Sequence, residues 1–286
     1  MMPVHEPARF AEFNFALIEP WNLDKHRFPR PKDTVVCIPP MVAPTYDDFP
    51  GLVRLDVLSE RESTSLQELI EDGTQTQRPA VSALIKCQAN QNTVASFIGN
   101  VQLFRKVEQE GYCIVRFYDP AVFALLDAVY SDRQKAHLFG PIAEWQFPWL
   151  GHWWRSTAPV VDRAHHIVEP TVSQWSILQR ADCVYKALVT LANAENHMSS
   201  ELCATRLALG LNALQEALNV YGLVSSDDLT EFVFYSVKHA GFGTHPKVKE
   251  SLDGLRAKTQ IWAEVAVVLA ELELLARDSL STSAQL

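Results

Sequence analysis

The sequence contains no uninterrupted apolar run of the roughly 20 residues that a bilayer requires. Its best rival, residues 261–276, is broken by Glu264, Glu271 and Glu273. The first fifteen residues carry Glu6 and Glu12 and lack the apolar core of a signal peptide. No membrane partner is expected. No CxxC pair occurs, and the 5 cysteines (Cys37, Cys87, Cys113, Cys183, Cys203) are odd in number and scattered. That pattern argues against a disulfide framework and for reduced, mostly buried thiols in a cytoplasmic protein. An excess of cations is missing too. Lys and Arg number 25 against 34 Asp and Glu, a net charge of −9 that a phosphate backbone would repel. Nucleic acid is therefore not an expected partner.

Catalytic signatures are equally scarce. There is no GxSxG elbow, P-loop, HExxH helix or strand-linked GxGxxG. Gly241-Phe242-Gly243 follows a helical stretch and reads as a turn. The pair His165-His166, with Glu169 and His152 nearby, lacks convergent ligand spacing and reads as a linker feature. Cys113 lies in an apolar run and reads as a core thiol rather than a nucleophile. Asp47-Asp48, Glu60/Glu62 and Asp227-Asp228 adjoin turn and cap signals, which explain them more simply than acid–base work does. The expectation is a non-enzyme with no cofactor and no metal ligands. A hydrolase with a site assembled from scattered polar residues, and a self-assembling structural subunit, are the alternatives.

What is present describes an α+β chain. At 286 residues it exceeds the size at which one core usually keeps growing, so two lobes are expected. Strands are read at residues 13–18, 34–38, 52–57, 81–87 and 112–117, the last apolar on both sides and hence central in its sheet. Helices are read at 63–72, capped by Thr64 or Ser65 and ended by Gly73, and from Asn92 or Thr93 to Gly111. Another opens at Asp119-Pro120, where Asp caps and Pro takes the first position. This is an N-terminal α/β lobe with a helix-covered mixed sheet. From Gln174 the pattern is helical, giving an all-α C-terminal lobe with helices around 175–188, 202–218, 229–239, from Pro246, and 259–278. The boundary falls between Ser156 and Thr171, dividing the chain as 1–157 and 158–286. The last eight residues, small and polar, are expected to be unstructured.

Two features go beyond plain packing. Arg116 is a cation in an apolar strand, and Asp119, three residues on, is its expected partner across the turn. Between residues 145 and 154 stand four tryptophans, Trp145, Trp149, Trp153 and Trp154, out of 7 in the chain. Most are expected to cement the junction of the lobes. The remainder, with Trp262 of the terminal helix, are candidate partner-binding anchors, because tryptophan concentrates at binding hot spots.

The string Gly111-Tyr112-Cys113-Ile114-Val115-Arg116-Phe117-Tyr118-Asp119-Pro120 resembles the effector adaptors, or loading chaperones, of bacterial type VI secretion systems. Leu138-Phe139-Gly140-Pro141-Ile142 followed by Trp145 resembles the family's Phe-Gly-Pro and Trp element. Tyr221-Gly222-Leu223 with Asp228, Phe232 and Val233, then His245-Pro246 and Leu252, resembles its helical tail. The likeness covers most of residues 13–252. It implies a cytoplasmic binding protein that holds a cognate effector and helps load it onto the VgrG spike, catalysing nothing. Arg116, Asp119, Pro120, Gly140, Pro141 and Trp145 match the pattern as fold-defining positions. The Asp that the family often carries after its first apolar strand is replaced here by Glu19, before Pro20.

Overall fold

The computed structural model describes residues 1–4, 12–23, 31–42, 48–75, 78–106, 110–161, 169–195, 198–239 and 241–283. His165, His166, Asp47 and residues 284–286 of the expected tail lie outside that set. The architecture is α+β. The chain separates into two compact units, Met1–Leu178 and Gln179–Leu286. The division thus falls after helix Val172–Leu178, rather than at the 157/158 boundary read from the sequence.

The first unit is built on strands β1 (Met2–Val4), β2 (Phe15–Ile18), β3 (Val35–Val36), β4 (Gly51–Arg54), β5 (Val81–Cys87), β8 (Ile142–Trp149) and β9 (His152–Thr157). They form a seven-stranded sheet in the order β1-β9-β8-β5-β2-β4-β3. All six described pairings are antiparallel, which corrects the expectation of a mixed sheet. The β8–β9 hairpin turns through Leu150 and Gly151, both at positive φ, the handedness that two-residue hairpins favour. Leu150 accepts an uncommon conformation because the strands on either side fix the turn.

Helices cover the sheet on both faces. Helix α1 (Glu60–Gln75) packs Leu66, Leu69 and Ile70 with Ala16, Val53, Leu84 and Trp153. It starts earlier than expected because Ser59 and Glu62 form the cap: the Ser59 N–H donates to the Glu62 carboxylate at 2.9 Å. Helix α2 (Gln91–Val101) is capped by Asn90, whose side chain accepts from the Thr93 N–H. A Cβ on its Gly99 would stand 2.4 Å from the Ile38 carbonyl oxygen, so only glycine lets that loop approach. Helices α3 (Pro120–Val129) and α4 (Asp132–Phe139) follow, with α5 (Val172–Leu178) closing the unit. Gln134 and Gln174 exchange side-chain amide hydrogen bonds at 2.8 and 3.0 Å, tying α4 to α5.

A second, two-stranded sheet joins β6 (Leu103–Arg105) to β7 (Tyr112–Ile114). Two expectations fail here. The helix read through to Gly111 stops at Val101, because the chain turns back to pair locally. The strand read at 112–117 is short and not central: Tyr112 is 57% and Ile114 45% exposed.

The second unit is all helical. Its elements are α6 (Ala181–Ala194), α7 (Ser200–Asn219), α8 (Ser226–Lys238), α9 (Pro246–Arg256) and α10 (Trp262–Ser283). The single helix expected around 175–188 is two helices, α5 and α6, interrupted at Gln179 and Arg180. Ser225, rather than Asp227 or Asp228, caps α8. Leu188, Leu207, Leu214, Phe232 and Val233 are buried in its core. The last helix continues through Ser283, into residues expected to be unstructured. Among the described residues no helix is long and apolar enough to cross a membrane.

Candidate functional site

Glu19 follows directly on β2. Its N–H donates to the Ala80 carbonyl at 2.8 Å, which holds the residue against the sheet. Its side chain is buried, and a buried carboxylate needs partners. Oε2 accepts from Arg116 Nη2 at 2.7 Å, and Oε1 accepts from the Trp21 backbone N–H at 3.3 Å. Burial pushes the Glu19 carboxyl above its ordinary range; the Arg116 charge and these hydrogen bonds pull the other way without cancelling it. Arg116 also lies 5.6 Å from the Tyr118 ring centroid, and burial pushes that phenol up as well.

Around this buried carboxylate stand two solvent-facing side chains of the types enriched at binding hot spots. Arg116 is 47% exposed, and Trp21 is 68% exposed. One interior carboxylate therefore holds the Arg116 side chain, over 97 residues of sequence, and the Trp21 backbone. The expected Arg116–Asp119 pair is corrected. Asp119 is committed to the helix, its carboxylate accepting from the Ala121 N–H at 2.9 Å, with Pro120 at the first turn of α3. Only the backbone closes the turn, the Asp119 N–H donating to the Arg116 carbonyl at 2.9 Å. Trp21 left no mark in the sequence beyond being a lone tryptophan after Pro20. Glu19 did leave one, a carboxylate ending an apolar strand.

The other motif positions are taken up by packing and backbone geometry. Trp145 stacks on Phe123 of α3 at 5.0 Å and 5°, with Phe117 at 5.8 Å. Gly140 ends α4 at φ 49°, and a Cβ there would stand 2.2 Å from the Phe97 ring. The Pro141 carbonyl accepts from the Cys87 thiol at 3.1 Å.

The tryptophan anchors are overturned. Trp149, Trp153, Trp154 and Trp262 are all buried, so none offers surface to a partner. The alternation of β8 and β9 is the reason: with one helix layer on each face, both faces of this hairpin are interior. Trp153 enters the core beneath α1, while the Trp154 indole donates to the Trp149 carbonyl at 2.9 Å. Trp262 packs on Phe232 at 5.4 Å and donates to Glu231 at 2.8 Å within the second unit.

Other candidates resolve structurally. Cys113 is half-buried, and burial raises its thiol pKa, the opposite of an activated nucleophile. Glu62 serves the cap of α1, and Asp227 and Asp228 lie in the first turn of α8. Gly241 begins a short 3-10 turn at φ 76°. Among the described residues no group of three His, Cys, Asp or Glu side chains is placed to hold a metal ion. No family model, curated protein or solved structure matches this chain.

Proposed function

We propose that this chain is a non-catalytic adaptor of a bacterial type VI secretion system, working in the cytoplasm to hold a cognate effector and deliver it to the VgrG spike. The observation that carries the reading is the Glu19–Arg116 pair. The two positions that the family resemblance picks out, a carboxylate after the first strand and the arginine of the Arg-Phe-Tyr-Asp-Pro string, meet at 2.7 Å. The carboxylate here is Glu19, a departure from the Asp that the family often carries there. Exposed Trp21 and Arg116 beside it give a starting point for an interface, while the catalytic motifs named above are absent from the sequence. An adaptor must hold cargo and release it, which suits an interface of ordinary size with few anchors.

The test is co-expression of the tagged chain with the effector and spike encoded beside its gene, followed by affinity capture. Both should be retained, and the effector should be lost from the secreted fraction when the gene is deleted, with tube assembly intact. Retention of neither would refute the proposal.

A further inference from the structure

The β6–β7 hairpin carries a feature that the adaptor reading does not use. Its register pairs Leu103 with Ile114, Phe104 with Cys113 and Arg105 with Tyr112. The Val115 N–H donates to the Gln102 carbonyl and the Lys106 N–H to the Gly111 carbonyl. Hydrogen-bonded pairs alternate along an antiparallel ladder. So 102–115, 104–113 and 106–111 exchange bonds across the hairpin, and the N–H and C=O groups of Tyr112 and Ile114 point away from β6. Among the described residues strand β7 has no second neighbour, and no backbone group bonds to those outward groups. Both side chains are about half exposed and lie on one face, beside Leu103 and exposed Arg105.

Such an edge is a template for another strand. Natural edges are usually blunted by a charge or proline on the strand itself; Tyr112-Cys113-Ile114 has neither. The charges lie at its ends. Arg105 and Lys106 flank the Tyr112 end and Arg116 the Ile114 end, while the sequence of the connection carries Glu108 and Glu110 and Glu19 is buried against Arg116. A cation at each end of an apolar edge selects for an acidic occupant. It also selects against a second copy: pairing β7 antiparallel with itself would bring Arg105 of one chain to the end occupied by Arg116 of the other.

We infer that the outer edge of β7 is a strand-addition site that accepts an extended, acidic segment of another protein, with apolar side chains placed over Tyr112 and Ile114. Main-chain bonds to Tyr112 and Ile114 supply the pairing, and Arg105 and Arg116 set the preference for carboxylates. The inference rests on the hairpin alone and stands or falls apart from the secretion reading.

The test uses the full chain and a capped heptapeptide, Glu-Thr-Val-Thr-Val-Thr-Glu, whose two valines and two terminal glutamates share one face, with its lysine-ended counterpart as control. Amide hydrogen exchange is read at Tyr112 and Ile114. The acidic peptide should slow exchange at both by about tenfold or more, a shift of about 1.4 kcal/mol. The control should not, and 1 M salt, where the screening length falls to about 3 Å, should weaken the effect. Ile114→Pro, which removes an outward N–H and leaves the ladder intact, should abolish the slowing. Ile114→Glu, at an exposed position that the fold does not need, should do the same by repulsion. No slowing with the acidic peptide, or equal slowing with the basic one, overturns the inference. So does slowing that grows with protein concentration alone, which would assign the edge to a second copy.

Discussion

The β8–β9 and β6–β7 hairpins are both apolar, aromatic-bearing segments, and they end in opposite places. The first lies in the seven-stranded sheet with helices on either face, and its four tryptophans are all interior. The second stands apart as a two-stranded ribbon, with Tyr112 and Ile114 facing out. In these two hairpins aromatic density follows how much core a segment fills, not how much surface it offers. A partner is better sought where modest apolar side chains are left uncovered beside unbonded backbone.

The sharpest way to break this contrast is to truncate each hairpin. Trp154→Ala removes a fully buried ring and should cost about 3–5 kcal/mol. Tyr112→Ala should change stability by about 0.5 kcal/mol or less, as exposed positions do. Denaturant unfolding of both variants checks the pair, and similar losses would erase the distinction. Next in size is Gly140→Ala, which forces a side chain into positive φ and against Phe97. It should cost about 1–3 kcal/mol, read in the same way.

Comparable effects concern the buried carboxylate between the sheet and the exposed turn. Arg116→Ala leaves Glu19 without its cation and should destabilise the chain by about 1–3 kcal/mol at neutral pH. The loss should shrink at acid pH as the carboxyl takes up a proton. The folded chain holds the Glu19 proton more tightly than a free side chain of ordinary pKa 4.5 does. Its contribution to stability is therefore full below pH 4.5 and drains away as pH rises through the folded value. Glu19→Gln should flatten that slope and be at least as stable as the natural chain at pH 7. An unchanged slope of unfolding free energy against pH would show that Glu19 is not the group involved.

Much of the framework is legible in the order of the amino acids alone. Residues 81–87 are a strand with the expected bounds, and Asp119-Pro120 opens a helix with the expected cap, because local chemistry decides both. Legibility fails where tertiary choice overrides local pattern. Val94, Ile98, Val101 and Phe104 continue a helical period, yet Phe104 sits in a strand, because pairing with Cys113 displaces the last turn. The site is half readable. Glu19 and Arg116 each stand out as a charge in apolar surroundings, but nothing in sequence spacing says that residues 97 apart meet. The partner of Arg116 is expected next door at Asp119, whose carboxylate the α3 terminus has already taken. The tryptophans mislead because composition carries no information on which side of a strand is covered.

If the proposed adaptor uses the β7 edge, the most direct measurement is co-purification of the proposed effector and spike with two tagged forms of the chain, the natural one and a Tyr112→Glu, Ile114→Glu variant with an unchanged unfolding midpoint. The natural chain should retain its partners, and the folded variant should lose at least one of them. Equal retention by both forms would contradict partner capture through this edge, and retention by neither would contradict the proposed adaptor function.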